Sequence, residues 1–164
     1  MIIIVEGPDG VGKSTLVNHL ADKFALKTKH SSSSTKNDLQ YHLDLLEDNV
    51  ILDRANLGEI IYPKVFNREA KMQIEDQDLF MATCDLLNVT YIIMYASDYD
   101  TLKSRLFNRG DSQSVLDTSV EVNKLFKKYA KKWSRKYDCV HKLDITKIDD
   151  QCAFVDEILS KEGD

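Results

Sequence analysis

Cysteine is scarce in this chain of 164 residues: Cys84, Cys139 and Cys152 are odd in number, far apart and without C-x-x-C spacing. That argues against a disulfide framework or a zinc site and fits a reducing compartment. Their neighbours are apolar, which reads as buried structural thiol rather than nucleophile. The four histidines, His19, His30, His42 and His141, show no metal-ligand spacing. Each reads as structural or exposed, with His30 nearest a presumed strand end. Long apolar runs are missing as well. The first one stops at Val5, with no positive segment before it, so it reads as a core strand and not a signal peptide. Nothing approaches the roughly 18 apolar residues of a membrane-spanning helix. Positive charge is not in excess either. A net charge of −5 disfavours a general affinity for nucleic acid or an anionic membrane, while leaving room for a local basic groove. The expectation is one cytoplasmic domain over residues 1–164, without membrane attachment or stable nucleic-acid binding.

What is present begins with Glu6-Gly7-Pro8-Asp9-Gly10-Val11-Gly12-Lys13-Ser14-Thr15. The apolar run Ile2-Ile3-Ile4-Val5 precedes it. An amphipathic stretch follows, with Leu16, Val17, Leu20 and Phe24 on one helical face. The pattern G-x-x-x-x-G-K-[ST] between a strand and a helix is a phosphate-binding loop. Glycines let successive N–H groups curl into an anion nest, and the helix points its positive dipole end at the same place. Lys13 is placed to reach the outer phosphates and Ser14 to ligate Mg²⁺.

Strands are expected at 2–6, weakly at 26–31, at 50–52, at 89–95 and at 139–143. Helices are expected at 13–24, 36–48, 57–66, 78–87, 98–108, 116–136 and 148–159. Pro63 is expected to kink or split the 57–66 segment. Residues 67–77 read as polar and exposed. In the 78–87 helix, Leu79, Met81 or Ala82, and Leu86 read as inward-facing. The serine run 31–34 reads as a loop, either a linker or a ligand contact. Strands alternating with helices imply a parallel sheet covered on both faces.

Ligands of such sheets sit beyond the carboxyl ends of the strands. Asp53-Arg54, directly after Val50-Ile51-Leu52, is therefore placed to face the phosphate loop. The acid is suited to Mg²⁺ and the arginine to a second phosphate. Arg105 and Arg109 share a helical face beside Gly110 and are suited to neutralise a transferring phosphoryl group. Lys124, Lys127, Lys128, Lys131, Lys132, Arg135 and Lys136 form a basic run, read as a solvated face in preference to a nucleic-acid contact.

Residues 6–15 resemble the opening of thymidylate kinases, where E-G-x-[DE]-G-x-G-K-[ST]-T is typical. Asp53-Arg54, Tyr62, and Leu102-Lys103-Ser104-Arg105 through Arg109-Gly110-Asp111 follow in that family's order. The resemblance implies a three-layer P-loop fold with a five-stranded parallel sheet, helices on both faces and a short LID loop at about 108–115. It implies transfer of a phosphoryl group from Mg²⁺-ATP to a dTMP-like deoxynucleoside monophosphate, in a compact enzyme similar to phage versions. A viral member would act in the host cytoplasm, and a homodimer accords with the family. ATP would lie on Gly7 through Thr15, with Lys13 and Ser14 on the phosphates and Mg²⁺. Asp53 would match the acid near the metal, Asp9 would approach the acceptor sugar and phosphate, and Arg54 would hold that phosphate. Tyr62 would crowd the sugar 2′ carbon, Glu59 would contact the base, and Tyr41 is the candidate stacking platform. Arg109, with Arg105, would be the closing-loop arginine. The chain departs from the pattern in three places: a shorter segment before Asp53, Gly58 where Ser is common, and no second arginine after Asp111. One alternative is a kinase of a nucleoside or of a modified base in DNA. Another is a GTP-binding switch, since Thr146-Lys147-Ile148-Asp149 resembles a guanine-reading T-K-x-D. The switch ranks lower because Asp53 is followed by Arg54-Ala55-Asn56 and not by D-x-x-G.

Overall fold

The computed structural model describes residues 1–31 and 38–162. Expectations for serines 32–34 and for the first residues of the 36–48 helix lie outside the described residues. Five strands form one parallel sheet in the order β2-β3-β1-β4-β5. They are β1 (Ile2–Glu6), β2 (Lys27–His30), β3 (Val50–Asp53), β4 (Thr90–Tyr95) and β5 (Val140–Asp144). The helices between them are α1 (Lys13–Phe24), α2 (Leu39–Asp44), α3 (Gly58–Val65), α4 (Ile74–Leu86), α5 (Tyr99–Arg109), α6 (Gln113–Trp133) and α7 (Gln151–Glu162).

Two hydrophobic clusters lie on opposite faces of the sheet. Strand β1 shows why: alternate side chains point to opposite faces. Ile2 and Ile4 join Ile61, Phe80, Phe126 and Trp133 from α3, α4 and α6. Ile3 and Val5 join Leu16, Leu20, Leu106 and Val155 from α1, α5 and α7. Burying one such isoleucine stabilises the fold by about 2 kcal/mol. This is the three-layer α/β P-loop arrangement that was expected.

Local differences have identifiable causes. Helix α3 runs unbroken through Pro63. Pro63 and Ile61 are buried, and the Phe66 N–H closes the helix end by donating to Tyr62 O at 2.9 Å. Helix α4 starts four residues earlier than expected, at a capping box in which Gln73 and Asp76 satisfy each other's backbone donors. Its inward face is Gln77, Phe80, Met81 and Cys84, leaving Leu79 and Leu86 exposed. The stretch 67–77 is accordingly not wholly exposed, since Met72 before the helix and Gln77 in its first turn are buried. Helices α5 and α6 leave only 110–112 between them, with Gly110 left-handed at φ 82°. No described helix is long and apolar enough to cross a membrane.

His42, on α2, is fully buried, edge-on to Tyr41 and Phe80, and neither ring nitrogen has a hydrogen-bond partner among the described residues. Burial lowers its pKa to about 4, against a small opposing pull from Asp38. A folded-state pKa below the unfolded value means stability present above about pH 6.5 is lost as pH falls toward 4. The His42→Phe variant should therefore lose about 2 kcal/mol less stability than the parent between pH 7 and pH 4.5 in urea melts. Equal losses would disprove the burial of a neutral imidazole.

Candidate nucleotide site

Register sets the site. Val5 pairs with Asp53 across β1 and β3, and Asp53 with His30 across β3 and β2. Three strand ends thus stop at one level, beside the loop leading into α1. A cleft of about 420 Å³ opens there. Its lining includes Asp9, Gly10, Gly12, Lys13, Ser14 and Thr15 from the loop and first turn, His30 and Asp53-Arg54 from the strand ends, and Arg105 and Arg109 from α5.

Gly12 caps α1 in the left-handed conformation at φ 93°, with no side-chain cap. The first-turn N–H groups are therefore left to an anion. Lys13 Nζ donates to Pro8 O at 2.8 Å and lies 4.0 Å from Asp9 Oδ1. Burial, helped by the nearby Arg54, lowers its pKa to about 8. Three loop residues serve without lining the cleft. Gly7 packs so closely that a Cβ would lie 2.9 Å from Met94 O, Pro8 supplies its carbonyl, and Val11 is buried in the core.

Arg54 has a left-handed backbone at φ 73°. Its Nη2 donates to Asp9 Oδ1 at 2.7 Å, and its guanidinium lies 5.6 Å from the Tyr62 ring centre. Arg109 makes a two-pronged pair with Asp111 at 2.6 and 2.7 Å. Both arginines thus reach the cleft already holding an acid. Asp53 Oδ2 lies 3.3 Å from His30 Nδ1, while its Oδ1 is buried without a partner among the described residues. Mg²⁺ takes one or two carboxylates, a hydroxyl and phosphate oxygens. Asp53, with its unpaired oxygen, and Ser14, on the same cleft, fit that requirement.

Glu59 and Tyr62 do not line this cleft. They border a smaller one of about 260 Å³, joined to the first through His30 and Arg54 and also lined by Arg68. The Tyr62 hydroxyl is buried and unpaired among the described residues, and burial raises its pKa. Tyr41 is not among the described residues lining either cleft; its ring meets His42.

Two participants escaped the sequence reading. His30 stood near a strand end, and only pairing with Asp53 brings it to the cleft. Glu6 was read as the start of the loop. It is wholly buried, and its Oε1 accepts from the N–H groups of Ala55, Leu57 and Gly58 at 2.8, 3.0 and 3.4 Å. Burial raises its pKa against the pull of those donors and of Arg54. An acid ending an apolar run was the available signal.

Beyond β5, Asp144 Oδ1 accepts from Ser97 N, Thr146 N and Thr146 Oγ1 at 3.0, 3.2 and 2.7 Å, which fixes the turn that starts Thr146-Lys147-Ile148-Asp149. That segment leads into α7, whose Gln151 Oε1 lies 3.3 Å from where a Gly12 Cβ would sit. Gln151, two residues beyond Asp149, is thus the part of this region that reaches the phosphate loop. Asp149 is exposed. In the segment after Asp53, Asn56 is buried, bonded to Gln77 at 2.6 Å and to the Tyr91 hydroxyl at 2.8 Å.

The sheet order, the glycine loop and Lys13 define a P-loop NTPase. The chain belongs to the family described as 50S ribosome-binding GTPase, whose model matches residues 2–128. It is 28% identical over 96 residues to the small ribosomal subunit biogenesis GTPase RsgA of Fusobacterium nucleatum subsp. nucleatum, a match covering 56% of this chain and 34% of that protein. The chain thus spans about a third of the length of this curated relative. Two solved structures share the fold. The YorR protein of Bacillus subtilis, in complex with phosphorylated GDP, is 20% identical with a TM-score of 0.82, covering 99% of this chain and 98% of that one. Deoxyadenosine kinase of M. mycoides with bound dATP is 20% identical with a TM-score of 0.63, covering 98% and 99%.

The family match corrects several expectations. It overturns the thymidylate-kinase resemblance, the phage-type phosphotransferase, ATP as the nucleotide and a deoxynucleoside monophosphate as partner. The deoxynucleoside monophosphate expected on Asp9, Arg54, Glu59, Tyr62 and Tyr41 is withdrawn with them, while the positions of those residues are as described above. The physical reason is that an anion nest followed by Lys-Ser-Thr reads phosphates. It carries no information about the base or about what receives the phosphoryl group.

A protonated Lys13 binds phosphate better than a neutral one. The sign follows: affinity for a nucleoside triphosphate should fall about tenfold between pH 7 and pH 9, as Lys13 titrates near 8. Titration calorimetry at both values checks this. Lys13→Ala should bind weakly and show no such fall, and a flat wild-type profile would refute the assignment.

Proposed function

We propose that this chain is a guanine-nucleotide-binding P-loop NTPase that holds GTP with Mg²⁺ in the 420 Å³ cleft and hydrolyses it slowly. The observation that carries this reading is a T-K-x-D segment ending in the exposed Asp149, two residues before Gln151, whose side chain reaches Gly12 of the phosphate loop. A carboxylate there accepts hydrogen bonds from the N–H groups of a guanine and has nothing to accept from the corresponding edge of adenine. Family membership and the GTPase relative support the same choice.

In this reading the N–H groups of residues 9–15 cradle the phosphates and Lys13 neutralises the outer pair. Ser14 and Asp53 hold Mg²⁺, which shields the charge between the outer phosphates. Arg109, with Arg105 one turn earlier, supplies further positive charge once a phosphate displaces Asp111. Asn56 stands where D-x-x-G has its glycine and is buried with its side chain bonded to Gln77 and Tyr91, so the γ-phosphate sensor of that motif is missing. Unaided hydrolysis is accordingly expected to be slow, on the order of 10⁻³ s⁻¹ or below.

Calorimetry with GTP and ATP in Mg²⁺ buffer tests the proposal. GTP should bind at least about tenfold more tightly, and Asp149→Ala should erase the difference, since a lost base contact of this kind is worth roughly 1.5–3 kcal/mol. Equal binding of both nucleotides, or rapid phosphoryl transfer to a nucleoside monophosphate, would sink it.

A further inference from the structure

We infer that the C-terminal half of α6, with the groove beside it, is a docking surface for single-stranded RNA. Residues 124–136 carry seven Lys and Arg and no acid, in a chain whose net charge is −5, so all 27 Asp and Glu lie elsewhere. Lys124, Lys128 and Lys131 follow i, i+4, i+7 spacing and form one exposed row about 10 Å long. Arg135 continues the row in the turn after the helix. Among the described residues none of these four has a carboxylate partner. Such a row attracts a polyanion and gains by releasing its counterions.

The row borders an aromatic groove. Lys132 lies beside it and also lines a groove of about 330 Å³ between α3, α4 and α6, floored by Pro63, Met72 and Trp133. Tyr129 forms one wall, half-buried, its hydroxyl accepting from Lys64 Nζ at 3.0 Å. Lys64 Nζ stands 5.5 Å from the Tyr129 ring centre, and Trp133 meets the ring edge-on. Glu59 and Asp78 also line the groove, Asp78 already paired with Lys136. A single strand whose backbone follows the lysine row would stack a base on the half-exposed ring by displacing Lys64. A membrane fits less well. The apolar face of α6, Val122, Phe126, Ala130 and Trp133, is spent on the core, so this helix keeps no apolar stripe to insert into lipid, and Ile74 is the one large hydrophobic exposed among the described residues of the groove. The choice of RNA over DNA rests on the ribosome-binding GTPase reading above; the phosphate chemistry does not.

The test is fluorescence anisotropy of a labelled 12-nucleotide unstructured RNA titrated with the full chain over a range of KCl. Three phosphate contacts predict a slope of log K against log [KCl] near about −2. The triple variant K124Q/K128Q/K131Q should lose at least tenfold in affinity at 100 mM KCl and most of that slope. The single variant Lys128→Gln should lose about a third of the slope, which keeps the test decisive if the triple variant misfolds. Tyr129→Ala should weaken binding by about 5- to 100-fold with the slope unchanged, the mark of lost stacking. Absence of RNA binding, the same affinity in the charge variants, or capture by phosphatidylserine vesicles with none by RNA would each overturn the inference. Guanine-nucleotide affinity is measured in parallel. RNA binding with no preference for GTP would refute the proposed function alone, and the reverse would refute the docking surface alone.

Discussion

One buried carboxylate ties the two halves of the cleft together. Glu6, the last residue of β1, gathers three backbone N–H groups from Ala55 to Gly58. Those donors would otherwise be unsatisfied at the start of α3, and orphaned buried donors cost about 1–3 kcal/mol each. The grip fixes the chain just after Asp53-Arg54, while Arg54 N donates to Val5 O at 3.0 Å. Strand β1 thus positions both the phosphate loop that continues from it and the acid–arginine couple facing that loop. The left-handed backbone of Arg54 is strain of the kind that persists where its surroundings hold it in place.

A second polar layer lies beneath this one. Asn56, Gln77 and Tyr91 are buried and bonded to one another. Gln77 comes from α4 and Tyr91 from β4, so the layer locks α4 against the segment after Asp53. A buried polar group is costly unless paired, and this pairing decides which face of α4 turns inward. The apolar content of α4 does not decide it, since Ile74, Leu79 and Leu86 stay in water.

The electrostatics of the cleft are balanced within the protein. Arg54 is held by Asp9 and Arg109 by Asp111, while the charged form of Lys13 is disfavoured by burial. A polyphosphate entering here competes with those acids for the arginines. The contest is sensitive to distance, because a half-open cleft still screens charge less than bulk water does.

Much of this was legible before any coordinates. The phosphate loop, the parallel sheet and the convergence of Asp53, Arg54, Arg105 and Arg109 on one cleft follow from local pattern: a glycine loop between strand and helix, and charged residues directly after apolar runs. Where pattern was ambiguous, the reading slipped. Helix α4 offers two apolar stripes, and Pro63 sits in a helix that tertiary packing sustains. His30 and Glu6 gain their places only through strand pairing and burial. Base identity slipped most. The loop reads phosphate alone, and Thr146 to Asp149 stands more than 130 residues from it in the chain, with only the following Gln151 of α7 reaching Gly12. By itself the sequence determined the secondary elements, the layered class and the anion cradle, because each depends on contacts between near neighbours in the chain. Which side chains surround that cradle, and what their charges hold, was left to the tertiary structure, because those contacts join residues separated by tens of positions and exist only once the sheet has closed its register.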